Sequence, residues 1–208
     1  MKPVFSRNTD IDKIAFLNWR IDKDNHIVNL LNIADGFLLS AIELAKVCLE
    51  DNRNKRADII IFAILTNANH GLELYLKSLN WTLNELLSNN KKIEGKHNLK
   101  QIFQTVKAKF KIYKGTINFK DFKQETKEIE SYINELFDKI QSTPQNDKMD
   151  FSRYSIDNNY DDHFYVLDLG KGTIDIDLEN FVTRFETIRN KIDKLCRYMY
   201  YSELHDDW

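Results

Sequence analysis

From His26 to about Glu50, apolar residues recur every three or four positions: Val28, Leu31, Ala34, Leu38, Ile42, Ala45 and Leu49. That spacing returns side chains to one face at each turn, so the stretch predicts a helix with a wide apolar face, mildly interrupted by Gly36. A charged turn over 51–56 leads to a second predicted helix, Ala57 to about Leu79. A short link between long helices favours antiparallel neighbours in a bundle. Ahead of this pair, Thr9 to Arg20 predicts a short opening helix capped by Thr9 or Asp10, with Ile14, Leu17 and Ile21 on one side.

Asn98 predicts the cap of a third helix that runs to about Phe110 and ends near Gly115. Phe119 to Ile140 reads as a fourth, with Phe122, Ile129, Ile133, Leu136 and Ile140 as its stripe; Pro144 and the polar run Gln141 to Lys148 stop it. The period then changes. Tyr165, Leu167 and Leu169 alternate, as do Ile174, Ile176 and Leu178, with Gly170-Lys-Gly172 between them. That pattern predicts a two-stranded ribbon over about 164–178. A last helix, Leu178 to Glu203, carries Phe181, Phe185, Ile188, Ile192, Leu195 and Met199. The expected fold class is all-α: a bundle of about five long helices in one domain, 1–208, with a small β-hairpin inserted before the last.

Composition narrows the class. The chain has 208 residues with only 6 Gly and 2 Pro, well under their usual combined share of about 12%. So few breakers argue against a sandwich, a propeller, collagen or a low-complexity chain, and for long helices. The formal net charge of −2 provides no overall field for nucleic acid or membrane. Cys48 and Cys196 are too few for a disulfide framework and read as reduced, buried thiols. Met1 to Asp12 is too polar for a signal-peptide core, and the longest apolar run, Ile59 to Leu65, is far below the roughly 20 residues that span a bilayer. The expectation is a cytoplasmic protein with no membrane partner.

Standard catalytic motifs are missing: no phosphate-binding G-x-x-x-x-G-K loop, no G-x-G-x-x-G, no H-E-x-x-H and no G-x-S-x-G. His26, His70, His97, His163 and His205 lack metal-ligand spacing, and Asp161-Asp162-His163 is a weak ligand set in an acidic loop. No cofactor and no metal is expected.

Polar residues nevertheless cluster. On the second helix Thr66, His70, Glu73 and Lys77 form a stripe opposite Ile61, Leu65, Ala68, Leu72, Leu76 and Leu79. In the first half of that helix the same side is apolar (Ile59, Ala63). Two readings stay open: an exposed face with ordinary i, i+4 pairs, or a polar cluster inside the bundle whose Glu and Lys need partners. Further on, Lys91 to Lys114 holds eight lysines against Glu94 alone, interleaved with Phe103, Phe110 and Tyr113. Lys91, Lys92, Lys96, Lys100, Lys107 and Lys111 there are candidates for phosphate-backbone contact. Asp157 to Glu179 holds seven acids against Lys171. It offers those lysines an internal docking partner instead.

Several of these pieces fall in an order that resembles the HEPN superfamily, the helical domain of bacterial toxin–antitoxin and abortive-infection systems. His70-Gly-Leu-Glu-Leu-Tyr-Leu-Lys77 resembles the E-L-x-L-K helix of HEPN-like proteins. Lys96-His97-Asn-Leu99 is similar to their G-H-D-L segment, and Phe151-Ser-Arg-Tyr154 to their F-R-Y-P segment, with Ser155 in place of the proline. Ile-Asp-Leu-Glu-Asn (176–180) fits the entry to their last helix, so the resemblance spans about 57–200. It implies a helical bundle, often dimeric, that binds or cleaves RNA without a metal. Active members use R-x(4–6)-H, in which His moves protons and Arg steadies phosphate charge. Arg20 and His26 have that spacing but precede the first long helix, while Arg197 and His205 lie in the right region with seven residues between them. The best-matched residues are Glu73, Lys77, His97, Arg153 and Tyr154, with His70 beside them. His97 and Arg153 are therefore candidate catalytic residues, and His70, Glu73, Lys77 and Tyr154 candidate ligand contacts.

Two functional expectations follow from the resemblance. One is an RNA-engaging protein of a prokaryotic defence or toxin–antitoxin module, possessing metal-free ribonuclease activity or binding alone. The other is a non-catalytic interaction protein that forms a homodimer or partners an antitoxin or a nucleotidyltransferase.

Overall fold

The computed structural model describes residues 1–89, 91–92, 97–141 and 148–205. Helix α1 spans His26–Glu50 and starts where the Asn25 side chain accepts a hydrogen bond from the Val28 amide. Its buried residues, Ile27, Leu31, Ala34, Leu38, Ala41, Ile42, Ala45 and Cys48, form one stripe at helical spacing. The link 51–56 returns the chain as α2, Ala57–Leu86. That helix extends one to two turns past Leu79 because Leu83 continues its buried stripe, while Trp81 packs with Ile27 and Tyr200 in a small satellite core.

The α1–α2 contact, the most extensive in the molecule, depends on Gly71. A β-carbon there would lie 2.8 Å from Leu38 Cδ2 and 3.0 Å from the Leu38 backbone nitrogen. Gly71→Ala therefore has to push the two helices apart. It is expected to cost about 1–3 kcal/mol in urea denaturation, although alanine gains about 1 kcal/mol of helix propensity. A neutral or stabilising substitution would disprove the close approach.

Asn98 caps α3, Leu99–Ile112. The predicted fourth helix is divided into α4, Phe119–Glu125, and α5, Lys127–Ile140. The break is at buried Thr126, whose hydroxyl donates 2.8 Å to the Phe122 carbonyl, a back-bond that bends helices. Helix α7, Leu178–Tyr198, is capped by Asp177 and continues as a π-helical turn, Met199–Leu204. It packs on α1 and α2, while α5 joins α3 to α7. One core runs through all these helices, with Tyr75 at its centre. The Tyr75 hydroxyl sits 3.2 Å from Asp35 and 3.0 Å from Asp193, carboxylates held by Arg189 and Arg197. Burial, then the two carboxylates, keep that phenol protonated far above its ordinary range.

Two predicted elements do not form. The ribbon over 164–178 is replaced by a single helical turn, α6, Phe164–Leu167, followed by turns and extended chain. No strand occurs among the described residues, and their one isolated bridge joins Ile156 to Asp162. The alternation fails because Leu167 and Leu169 are exposed and share no buried face. Consecutive turn bonds, Asp168 N to Phe164 O, Leu169 N to Val166 O and Lys171 N to Asp168 O, also consume the amides a ladder needs. Tyr165 instead turns inward, donating to the Phe151 and Tyr154 carbonyls. The opening helix reduces to a 3-10 turn, Ile11–Lys13, because Leu17 and Trp19 find no core to cover them. So short a helix is marginal without packing. Pro144 and most of the stop predicted around it lie outside the described residues.

Both cysteines are buried and free. By length and composition α1 and α2 are apolar enough to cross a membrane, a test that core helices of globular proteins also pass.

Candidate functional site

The polar stripe of α2 does not face open water. Glu73 and Lys77 are each 8% exposed, and Lys77 Nζ donates to Glu73 Oε1 over 2.8 Å. Buried charge survives only with partners, and Glu73 has three. Its Oε1 also accepts from His97 Nδ1 at 2.9 Å, across the start of α3, and His70 Nδ1 stands 3.8 Å from Oε2. Burial pushes the Glu73 carboxyl upward, but the His70 imidazole, the Lys77 ammonium and His97 outweigh it and hold the group down to about 2. A carboxylate that stays ionised can only accept, so the proton on His97 sits at Nδ1 and leaves Nε2 as the reactive nitrogen of the neutral ring. His70 is steadied by Phe37, edge-on at 4.5 Å.

These groups open onto a cavity of about 160 Å³ lined by Thr66, Asn69, His70, Glu73, His97, Met149, Ser152 and Arg153. The turn carrying Ser152 and Arg153 is tied to α2 by Thr66, whose hydroxyl lies 2.9 Å from Ser152 Oγ. Arg153 is exposed, forms no ion pair with a described residue, and lies over the Tyr154 ring at 5.9 Å. Asn69 is 5% exposed; its Oδ1 accepts the Tyr132 hydroxyl at 2.7 Å, and its Nδ2 is buried without a partner.

The structure thus brings His70, Glu73, His97 and Arg153 to one pocket. Lys77 sits behind Glu73 and does not line the cavity, and Tyr154 lies outside it, 61% exposed. Arg20 and His26 share no hydrogen bond: the Arg20 carbonyl accepts from Asn32, and His26 stacks on Trp81 at 6.3 Å. Arg197 is clamped by Asp193, while His205 packs on Tyr200. In the lysine-rich segment, Lys107 pairs with Glu130, and Lys109 is held by Asn80 and Asn84. Lys100 and Lys111 ride over Phe137 and Phe119, and Lys91 and Lys92 are exposed. Lys96 lies outside the described residues.

Sequence reasoning missed Asn69 and Ser152. A polar residue between Ala68 and the Gly71-Leu72 contact was the available signal for the first, and the second lay inside the flagged 151–154 segment without being singled out. Among the described residues no cluster of three or more ligating side chains fits a metal. A separate cavity of about 300 Å³ between α5, α7 and residues 174–177 is mainly apolar, and its Arg184 is engaged by Glu135. Its described lining includes Glu135, Lys139, Asp175, Asp177 and Arg184 but no histidine. Comparison of the chain with protein-family models, curated proteins and solved structures finds no match.

Proposed function

We propose that this chain is an RNA-engaging, HEPN-like protein of a prokaryotic defence or toxin–antitoxin module, acting in the cytoplasm and cleaving RNA without a metal. The observation that carries the reading is the convergence on one pocket of a Glu73-oriented histidine, His97, with Arg153, which forms no ion pair with a described residue. His97 Nε2 takes the proton of a ribose 2′-hydroxyl as its oxygen attacks the adjacent phosphorus. The P–O2′ bond forms, the P–O5′ bond breaks, and the leaving 5′-oxygen collects a proton from solvent or a protonated His70. Arg153 steadies the charge gathered on the non-bridging oxygens. The exposed lysines, Lys91, Lys92 and Lys111, lengthen the track for flanking phosphates.

The test is a denaturing gel of end-labelled RNA incubated in EDTA with wild type, His97→Ala, His26→Ala and His205→Ala. His97, with its side chain 72% exposed, can be replaced without disturbing the core. Its loss is expected to slow cleavage at least about 100-fold, while the other two variants cut like wild type. Intact RNA with the wild type, or equal cleavage by His97→Ala, would overturn the proposal.

A second reading, a non-catalytic interaction protein, has its own support in uncovered apolar surface. Ile33, Leu39 and Val47 of α1 and Phe5, Leu17 and Trp19 ahead of it are all exposed. A dimer by light scattering together with uncut RNA would favour this reading, with a second copy, an antitoxin or a nucleotidyltransferase as partner.

A further inference from the structure

The α2 pocket contains a buried donor that the acid–base reading does not use. Asn69 lies in the wall, 5% exposed, with Nδ2 unpartnered. A buried amide donor without an acceptor is costly, so it is retained where a ligand supplies the acceptor. Its orientation is set from behind. Tyr132, whose phenol burial keeps protonated, donates to Oδ1 and leaves Nδ2 to donate elsewhere. The Arg153 guanidinium adds a positive charge, and the ring nitrogens of His70 and His97 not turned to Glu73 donate when those rings carry a second proton. Among the described lining residues the one carboxylate, Glu73, is already satisfied by Lys77 and His97. Among the described residues Arg153 offsets Glu73 in the wall, and Lys77 behind Glu73 adds one positive unit before either histidine is protonated.

Size restricts the ligand further. A cavity of about 160 Å³ equals about five waters at roughly 30 Å³ each, and is below the roughly 300 Å³ of pockets that hold drug-sized molecules. It admits a single acceptor-rich group and no whole nucleoside. Donors reach it from α2 through Asn69 and from the 150–154 turn through Arg153, and a protonated His97 adds a third from the turn before α3. A tetrahedral oxyanion meets three directions at once, which a planar carboxylate does not.

We infer that the pocket is a binding site for one phosphate group, with Asn69 Nδ2 as its buried donor and Arg153 as its cation. The inference deepens the proposed RNA reading and rests on it for the source of the phosphate, which is either a nucleic-acid strand or free phosphate. The test is calorimetric titration of inorganic phosphate into the full chain as wild type, Asn69→Asp and Arg153→Ala. Parallel arms use a short RNA with a 5′-phosphate and the same RNA with a 5′-hydroxyl. Saturable phosphate binding by wild type, weakened about tenfold or more in each variant, is expected, because a hydrogen bond to a charged group is worth at least that factor. Melting in phosphate-free buffer verifies the fold; if Asn69→Asp is unfolded, the exposed Arg153→Ala decides. No saturable binding by wild type, or equal affinity in the folded variants, would overturn the inference. RNA bound without any competition from phosphate would sink it while sparing the RNA reading. Phosphate bound while both RNAs are ignored would sustain it, and the RNA reading would fall.

Discussion

Replacing Glu73 by alanine is expected to cost about 3 kcal/mol of folding stability at neutral pH, because it strands a buried ammonium. The Lys77 side chain is 9% exposed and its ammonium donates to Glu73 Oε1. Removing one partner of such a pair leaves the other's desolvation uncompensated. Removing both does not, so Glu73→Ala with Lys77→Met should recover most of the loss. Urea denaturation of the two single variants and the double variant measures this. Additive losses would mean that the two side chains do not act as a pair.

The same carboxylate should make the fold acid-sensitive in a defined window. Glu73 is held at about 2 in the folded protein, against an ordinary value of 4.5. A depressed carboxyl contributes stability that is complete above the unfolded value and is lost as pH falls from there toward the folded one. Wild type should therefore lose about 2 kcal/mol between pH 4.5 and 2 through this group, allowing for screening by nearby solvent. Glu73→Gln, followed by circular dichroism melting across that range, should show a flatter acid limb. Parallel curves for the two proteins would refute the assignment.

The second large effect belongs to the aromatic core beneath α3 and α4. Phe122→Ala is expected to cost about 4 kcal/mol. Phe122 is fully buried, stacked on Phe110 at 4.2 Å and flanked by Phe103 and Phe119 at 6.2 and 6.3 Å. It is also the buried anchor of α4, only seven residues long and too short to persist without its packing. The urea midpoint should fall with little change in slope, and Phe122→Leu should lose clearly less. A loss under about 1 kcal/mol for alanine would show that the stack relaxes around the gap.

Most helices were legible because what makes them is local. The i, i+3, i+4 stripe of α1 and the Asn98 cap of α3 use residues within one turn of each other. The same local logic misled at Tyr165, Leu167 and Leu169. Alternation marks a strand only if one face is buried, and that burial is supplied by distant parts of the chain. Thr126 likewise looks like any residue of a long helix until its buried hydroxyl is seen bonding to the Phe122 carbonyl.

The candidate site divides in the same way. Thr66, His70, Glu73 and Lys77 share a helix, so their stripe was visible from spacing, although whether it was solvated or enclosed was not. His97 reaches Glu73 across 24 residues and Ser152 reaches Thr66 across 86. The Tyr75 bond to Asp193 spans 118 residues and had no sequence signal at all. The sequence by itself determined the long helices, the Asn98 cap and the polar face of α2, because these depend on neighbours within a few residues. Only the tertiary structure decided that this face is buried, that His97 and Arg153 line its cavity while the Arg20–His26 and Arg197–His205 pairs stay outside it, and that Asn69 holds an unpartnered donor in the wall. Those outcomes depend on which distant segments exclude water together, and local periodicity does not encode that choice.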